Sequence, residues 1–264
     1  MATVPPVTHP PSNPIVSFES VGKRFDNGHT VLEGIDLDIA PGAFVSFIGP
    51  SGCGKSTLLR LIAGLTPATS GRVVVDGATP EGARSGTFFV FQDANLLPWR
   101  RVAGNVDLPL MLRGDRPESR RKRVDEMLEL VGLSGAAAKF PWQLSGGMRM
   151  RVSIARALSL APRILLLDEP FGALDEMTRD RLNEDLLAIR QRDPFTAFFV
   201  THSVSEAVFL STQVVVLGSN PGRVTDVIEV PFAYPRPAEL REAPEFLSLL
   251  ARTTHALRAA LPPP

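Results

Sequence analysis

A glycine-rich loop between a predicted strand and a predicted helix constrains the fold of this chain more than any other feature. The apolar run Ala43 to Ile48 predicts a buried strand, and the leucine-rich run Thr57 to Ala63 predicts a helix. The segment between them, Gly49 to Thr57, reads GPSGCGKST and fits the pattern G-x-x-x-x-G-K-[S/T]. A strand, a glycine loop and a helix in this order predict the opening of a parallel β-α-β unit.

The residue types in this loop are those that bind the phosphates of a nucleotide. Glycines let backbone N–H groups point inward around phosphate oxygens, and a helix N-terminus favours an anion. We expect Lys55 to reach the β- and γ-phosphates and the Ser56 hydroxyl to bind Mg²⁺. From Cys53 we expect a backbone N–H and no redox role. The predicted nucleotide-binding residues are Gly49, Pro50, Ser51, Gly52, Cys53, Gly54, Lys55, Ser56 and Thr57.

A second motif, RILLLDEP from Arg163 to Pro170, places two carboxylates at the end of an apolar strand. The carboxyl ends of strands in open α/β sheets face the place where ligands bind. Asp168 can hold Mg²⁺ through water, and Glu169 can polarise an attacking water molecule. By itself this pattern would indicate only a surface turn. Together with the glycine loop, it predicts a P-loop nucleoside triphosphatase.

Length and composition fit one large α/β unit. The chain has 264 residues, and its 44% apolar residues are enough for a substantial core. Lys and Arg balance Asp and Glu at 28 each, so charge gives no indication of a nucleic-acid partner. The one cysteine excludes an intrachain disulfide and fits a reducing compartment. We find no signal peptide and no apolar run of membrane-spanning length, so we expect a separate chain to supply any membrane part.

Hydrophobic periodicity divides the chain into segments. Residues 1–14 carry five prolines and predict a flexible lead-in. The main domain is predicted over 15–235 and includes a helical subdomain at about 93–158. A C-terminal extension, 236–264, is predicted to hold a helix over about Pro244 to Ala260. Besides Ala43 to Ile48, strands are predicted at Ile15–Phe18, Arg72–Val75, Thr87–Phe91, Ile164–Leu167, Ala197–Thr201 and Gln213–Leu217.

A third motif narrows the class of triphosphatase. LSGGMRMRVSIARAL, from Leu144 to Leu158, places Ser145, Gly146 and Gly147 just before an amphipathic helix. This motif resembles the signature of ATP-binding-cassette (ABC) ATPases. The resemblance implies that these three residues contact the γ-phosphate of ATP bound to a second subunit, and hence that the chain forms a homodimer. A helix N-terminus that receives an anion supplies the physical reason.

Four further positions match the same family in the same order. Gln92, in VFQDANLLPW, resembles the glutamine that senses Mg²⁺ and the attacking water. Phe25 resembles the aromatic residue that stacks on adenine, although a core phenylalanine is the alternative. Phe171 to Asp175 (FGALD) resembles the loop that couples the two ATP sites, and His202 resembles the switch histidine that contacts the γ-phosphate.

The resemblance covers residues 15–232 and implies both the fold and the site. The implied fold is a RecA-like α/β P-loop core with an N-terminal antiparallel β subdomain and an inserted α-helical subdomain. The implied catalytic residues are Glu169, His202 and Gln92, and the implied Mg²⁺ residues are Ser56, Gln92 and Asp168. ATP and Mg²⁺ are therefore the expected cofactors.

Two positions depart from the family pattern. The fifth signature residue is usually Gln, and here it is Met148. The residue after the switch histidine is often Asp, and here it is Ser203. Ser203 to Glu206 still predicts a capping box at a helix start. A serine cannot supply the negative charge of a carboxylate beside His202. We therefore expect this departure to affect the fine control of the switch rather than its presence.

Other segments resemble one branch of the family, the importers of nitrate, sulfonates, taurine and related solutes. These segments are LLPWRRVAGNV from Leu96, FGALDEMTR from Phe171, and the tail with PGRV and PEFLSLL. The branch also imports aromatic acids and thiamine precursors. The resemblance implies a separate permease, an extracytoplasmic solute-binding protein and a peripheral location on the cytoplasmic side of the inner membrane. Trp99 is then either a permease anchor or an internally packed residue.

Two alternatives from other functional classes stay open at this point. A soluble non-transport ABC ATPase shares these motifs, but such proteins usually carry two cassettes or a long coiled-coil insertion. A nucleotide-sensing module without catalysis would not need both Glu169 and His202. An unrelated P-loop enzyme, such as a kinase, would not explain the helix after Ser145.

Overall fold

The computed structural model of the protein describes residues 13–172, 174–219 and 221–261, and these residues form two β-sheets with helices around them. Most of the predicted lead-in and the terminal prolines 262–264 lie outside the described residues, as does Ala173 of the FGALD segment. The strands are β1 (Val16–Arg24), β2 (Thr30–Ile39), β3 (Phe44–Ile48), β4 (Ser70–Val75), β5 (Thr87–Val90), β6 (Ile164–Asp168), β7 (Thr196–Val200), β8 (Gln213–Leu217) and β9 (Val224–Glu229). The α-helices are α1 (Lys55–Ile62), α2 (Val102–Arg113), α3 (Pro117–Leu130), α4 (Gly146–Leu158), α5 (Glu176–Arg192), α6 (Val204–Leu210) and α7 (Pro244–Ala259).

The smaller sheet is antiparallel, with strand order β2-β1-β4. Strand β2 was missed by the strand predictions, although its second half alternates in the way a half-buried strand requires. Ile35, Leu37 and Ile39 are buried, whereas Asp36 and Asp38 between them are exposed. This sheet is the expected N-terminal antiparallel subdomain.

The larger sheet has the order β5-β6-β7-β3-β8-β9. The first five strands in this order, β5-β6-β7-β3-β8, are parallel to their neighbours, and β9 pairs antiparallel with β8. Every residue of β3 and β7 is buried, as expected for strands covered on both faces. Strand β9 was also missed, because its TDVIE sequence carries charges and lies at the sheet edge.

Helices α2, α3 and α4 follow one another in the chain between β5 and β6 and pack together. Helix α3 buries one apolar face, with Val124, Met127 and Leu128 each at most 5% exposed. These side chains belong to the same apolar cluster as Leu165 and Leu167 of the central sheet. The P-loop core with an inserted helical region is therefore confirmed.

Helix α7 ends one residue before the predicted end and packs on α6, β8 and β9. Phe246 in its first turn is 1% exposed, and its ring centroid lies 6.0 Å from that of Phe232. Within the described ranges, none of the helices combines the length and the apolar character needed to cross a bilayer.

Candidate functional site

Four neighbouring parallel strands bring the predicted site residues to one edge of the larger sheet. In the order β5-β6-β7-β3, the carboxyl end of each strand leads directly into one of the predicted segments. Gln92 follows β5, Asp168 ends β6, His202 follows β7, and the glycine loop follows β3. Parallel strands end on the same side of a sheet, and ligands in open α/β sheets bind at that side. Segments that are far apart in the chain therefore meet.

The glycine loop turns sharply where glycine is required. Gly52 and Gly54 have φ angles of 79° and 97°, in the left-handed region that favours glycine. A Cβ atom on Gly54 would lie 2.5 Å from the Leu32 Cδ2 atom, so the small sheet packs directly behind the loop. At Gly49 a Cβ would lie 2.6 Å from the Leu217 carbonyl oxygen of β8. At Gly49 and Gly54 the loop thus lies against the two sheets, with no room for a side chain at either position.

Lys55 folds back onto the loop that precedes it. Its side chain is 5% exposed, and Nζ donates to the carbonyl oxygens of Gly49 and Pro50, both at 3.0 Å. A buried ammonium group needs such acceptors because burial without them costs several kcal/mol. Phosphate oxygens could replace these carbonyls with a stronger charge-assisted bond. This arrangement fits a triphosphate in the loop.

Ser56 and Asp168, two of the three predicted magnesium residues, come from separate motifs and are in contact. The Ser56 hydroxyl donates to Asp168 Oδ1 at 2.7 Å. Burial raises the pKa of the Asp168 carboxyl, the hydrogen bond from Ser56 opposes this rise, and the charge of Glu169 adds to it. Hydroxyl and carboxylate oxygens are the ligand types that Mg²⁺ prefers. The donor set therefore fits a magnesium ion at this point.

Glu169 and His202 form a pair beside that position. Glu169 Oε1 lies 2.7 Å from His202 Nε2, and half of the histidine side chain is exposed. Glu169 has a φ of 48°, which is uncommon for a residue with a side chain. Its backbone N–H donates to the Val200 carbonyl at 3.0 Å, which anchors the turn to β7. Such strained positions cost about 1–3 kcal/mol and cluster at functional sites.

Glu169 and His202 line a cleft of about 310 Å³. Gln92 is exposed and contributes to its wall, together with Glu169 and His202. The three residues predicted to be catalytic thus face the same space. The sides of the cleft also include residues to which the sequence analysis gave no role, among them Thr201, Arg179 and Glu206.

A largely buried polar cluster lines the same cleft as His202. The Thr201 hydroxyl donates to the Glu206 carboxylate, and Arg179 Nε of α5 lies 3.8 Å from Glu206 Oε1. Burial raises the pKa of Glu206, which is 5% exposed. The predicted capping box forms only in part. Ser203 Oγ accepts from the Glu206 N–H at 3.3 Å, but the Ser203 N–H donates to Thr201 Oγ1 at 2.9 Å and not to Glu206.

The predicted signature residues begin α4. Ser145 is the N-cap, and its hydroxyl accepts from the Met148 N–H at 3.3 Å. Ser145 and Gly146 are exposed, whereas Gly147 is buried. A Cβ on Gly147 would lie 3.3 Å from Thr178 Cγ2 of α5, so α4 and α5 approach closely there. Their exposure leaves Ser145 and Gly146 accessible to another molecule.

Two aromatic side chains with predicted binding roles, Phe25 and Trp99, are exposed. Phe25 is 39% exposed, which excludes the core alternative, and Lys23 Nζ lies 5.2 Å from its ring centroid. Trp99 is 71% exposed, which excludes internal packing. Large exposed aromatic side chains of this kind are typical of binding surfaces.

Gly222, which the sequence analysis did not single out, supports the loop from behind. Its N–H donates to the Val31 carbonyl at 2.8 Å, and its own carbonyl accepts from the Glu33 N–H at 3.0 Å. A Cβ at this position would lie 2.0 Å from the Cys53 carbonyl oxygen. The available signal was the PGRV segment, but its proximity to Cys53 follows only from the fold.

Comparison with known proteins agrees with this geometry. The family model described as ABC transporter matches residues 32–172. An uncharacterized ABC transporter ATP-binding protein of Methanocaldococcus jannaschii is 44% identical over 246 residues, which are 92% of this chain and 91% of the relative. The taurine import ATP-binding protein TauB of Rhizobium johnstonii is 44% identical over 249 residues, with 88% of this chain and 94% of the relative covered.

A third relative and one solved structure extend the match. The aliphatic sulfonates import ATP-binding protein SsuB of Bacillus subtilis is 44% identical over 226 residues, which cover 85% of this chain and 86% of the relative. A dimeric ATP-binding cassette in a post-hydrolysis state, bound to ADP and Pi, superposes with a TM-score of 0.73 at 35% identity, covering 83% of this chain and all of that one. The sequence, the fold and these comparisons together show that the chain belongs to the ABC transporter family and is an ATPase of the ATP-binding-cassette type.

Proposed function

We propose that this protein is the ATP-hydrolysing subunit of an importer for a small solute of the nitrate, sulfonate or taurine type, or a related organic anion or thiamine precursor. The Glu169–His202 pair at 2.7 Å, one residue from the Ser56–Asp168 contact, carries the ATPase part of this proposal. The printed names of the relatives, taurine import and aliphatic sulfonates import, support the importer part.

Each of the predicted site residues has a distinct role in this proposal. Lys55 exchanges the Gly49 and Pro50 carbonyls for phosphate oxygens when ATP binds. Magnesium, held by Ser56, Asp168 and Gln92, would neutralise charge on the phosphates. Glu169 accepts the proton of the attacking water, and His202 holds the γ-phosphate. Because His202 Nε2 and Glu169 Oε1 are already paired, ATP binding would release Glu169 from this contact.

The second part of the site comes from another copy of the chain. Ser145, Gly146 and Gly147 would offer the N-terminus of α4 to the γ-phosphate of ATP on the other subunit. The exposure of Ser145 and Gly146 supports this role, as does the dimeric form of the similar cassette. Two ATP molecules then lie between the subunits. Closure around them supplies the differential binding energy that drives the transport cycle.

A separate permease would receive this energy on the cytoplasmic side of the inner membrane, and an extracytoplasmic binding protein would deliver the solute. The exposed Trp99 is a candidate anchor for the permease. The peripheral location follows from the proposed permease partner.

A pull-down tests the partner and the direction together. The Glu169→Gln variant, tagged and kept with ATP and Mg²⁺, would be isolated from solubilised native membranes, and mass spectrometry would identify the proteins that co-purify. A polytopic permease supports the proposal, and its associated binding protein can be screened with nitrate, sulfonates, aromatic acids and pyrimidines. Recovery of soluble proteins alone would contradict it and favour a non-transport ABC ATPase.

A further inference from the structure

We propose that the segment from Phe232 to Phe246, here called the C-terminal clamp, positions His202 by fixing helix α6, and that Arg236 is the central positioning residue. The clamp spans the end of the predicted main domain and the start of the C-terminal extension, and neither the motifs nor the family resemblance give its residues a role. The proposal rests on the function proposed above for His202, and the experiment below separates the two.

Helix α6 begins two residues after His202 and has only seven residues. A helix this short is unstable in isolation, because the cost of nucleation is shared by few hydrogen bonds. Its position therefore depends on its caps and its packing. At the N-terminal end it has the Ser203 hydroxyl, which accepts at 3.3 Å.

At the C-terminal end, the clamp supplies the hydrogen-bond donors. Arg236 Nη1 donates to the Phe209 carbonyl at 2.7 Å and to the Val208 carbonyl at 3.3 Å. The Tyr234 hydroxyl donates to the Leu210 carbonyl at 2.5 Å. These are the carbonyl groups that a helix end leaves without intrahelical partners. The clamp thus satisfies three consecutive carbonyls of α6.

Arg236 is a buried charge, at 5% exposure. Among the described residues, no carboxylate forms an ion pair with it, so its charge is balanced by carbonyl dipoles. Besides α6, its Nε and Nη2 atoms donate to the Phe232 carbonyl at 3.2 and 2.6 Å. Its guanidinium carbon lies 4.2 Å from the Tyr234 ring centroid. A cation at a helix C-terminus is stabilised by the helix dipole.

The clamp also joins α6 to α5. The Arg241 guanidinium carbon lies 3.6 Å from the ring centroid of Phe209 on α6, and Nη1 donates to Glu184 Oε1 of α5 at 2.8 Å. Both helices contribute to the polar cluster that lines the cleft with His202, through Glu206 on α6 and Arg179 on α5. A shift of α6 would therefore move this cluster and the histidine with it.

The first test is Arg236→Met, which keeps much of the packed stem and removes the donors. We expect kcat for ATP hydrolysis to fall on the order of tenfold, because small misplacements of catalytic groups are costly. KM for ATP should change much less than kcat, since the clamp does not touch the glycine loop and His202 provides only one of the proposed phosphate contacts. Arg236→Lys should restore part of kcat, because one ammonium can still donate to the Phe209 carbonyl. Arg252→Met, at an exposed arginine of α7, is the matched control and should retain full turnover.

Tyr234→Phe removes one hydroxyl and is the second variant, in case Arg236→Met does not fold. We expect it to fold and to lower kcat by a smaller factor. Ring ¹⁵N resonances of His202, assigned with His202→Ala, report the position of the imidazole directly. They should shift in Tyr234→Phe and stay in place in Arg252→Met. A merely structural role would lower the melting temperature without moving kcat or these resonances.

The outcomes separate the two proposals. If His202→Ala retains normal turnover, the proposed function of His202 fails and the clamp proposal falls with it. If His202→Ala is inactive but Tyr234→Phe and the folded Arg236 variants keep normal kcat and unshifted resonances, the clamp proposal alone is overturned. If all clamp variants lose kcat with a much smaller change in KM and with shifted resonances, the clamp proposal is supported.

Discussion

The site depends on single residues whose backbone or surroundings allow little substitution. Glu169 adopts a positive φ that places its carboxylate against His202, and Lys55 is buried with loop carbonyls as acceptors. Gly222 has no side chain, and the absence of a Cβ atom allows the Cys53 carbonyl oxygen to lie close to its backbone. Residue type thus matters here through space and geometry as much as through chemistry.

Gly222→Ala should weaken ATP binding. The added Cβ would lie 2.0 Å from the Cys53 carbonyl oxygen, so the glycine loop must move. Overpacking of this kind typically costs about 1–3 kcal/mol of stability. Isothermal titration with ATP and urea unfolding measure the two effects. Gly135→Ala is the matched control, because a Cβ there meets no atom within 4 Å. Equal ATP affinity in both variants would contradict the prediction.

Glu206→Gln should remove a pH-dependent loss of stability. Burial raises the pKa of Glu206 above its ordinary value of 4.5, while Arg179 and Asp180 act on it in opposite directions. Between the unfolded and folded pKa values, the folded state holds a proton that the unfolded state has lost. As pH rises from about 4.5 through the pKa of Glu206 in the folded protein, the stability of the wild type therefore falls relative to that of the Gln variant. Above the folded pKa, the difference in stability between the two proteins is constant. Urea unfolding at stepped pH measures this difference, and a pH-independent difference would refute the assignment.

Glu169→Gln should retain ATP binding and lose turnover. The amide is close in shape to the carboxylate but cannot accept the proton of the attacking water. Fluorescent-nucleotide binding and phosphate release measure the two properties. Near-normal phosphate release would remove Glu169 from the catalytic role.

At the scale of elements, the departure at Ser203 affects how helix α6 begins. The serine hydroxyl caps the helix, so the family's usual aspartate is not needed for that purpose. In a capping box, two residues make both hydrogen bonds with each other. Here Ser203 accepts from the Glu206 N–H, but its own N–H donates to Thr201. Helix α6 therefore has three supports: this cap, the polar cluster and the C-terminal clamp.

Ser203→Ala should destabilise the protein by about 1 kcal/mol, the usual cost of losing an N-cap. Ser203→Asp keeps the cap and adds a negative charge next to His202, so its stability should equal or exceed that of wild type. Thermal unfolding of the three proteins gives the comparison. Equal destabilisation by both substitutions would show that the hydroxyl does not act as a cap.

At the scale of the whole molecule, each chain in the proposed dimer would contribute residues to both ATP sites. The glycine loop and Glu169 meet at the carboxyl edge of the larger sheet, whereas Ser145 begins a helix of the inserted region. A complete proposed site therefore needs two copies of the chain.

Mixing two inactive variants tests this composite site. Lys55→Met removes the phosphate-binding ammonium, and Ser145→Arg blocks the signature with a bulky side chain. Neither homodimer contains an intact site. A mixed dimer contains one site with a normal loop and a normal signature, so ATPase activity should return on mixing. A mixture that stays inactive while light scattering shows dimers with ATP would contradict the composite site.

The sequence by itself determined the local chemistry. The glycine loop, the strand ending in Asp168 and Glu169, and the cap at Ser145 are each set by a few adjacent residues, because phosphate cradles, strand ends and caps are short-range structures. Buried strands such as β3 and β7 are mostly apolar runs, which is the local pattern of a strand covered on both faces. The edge strand β9 and the strand β2 gave weaker signals and were missed.

Only the tertiary structure decided which of these pieces meet. The strand order β5-β6-β7-β3 places His202 against Glu169 and Ser56 against Asp168, and no local pattern contains that order. The same holds for Gly222 behind Cys53 and for Arg236 at the end of α6. These contacts join residues far apart in the chain, so they depend on how the sheets and helices pack and not on the propensity of any segment. That is the physical reason why the sequence predicted the chemistry of this protein but not the contacts that position it.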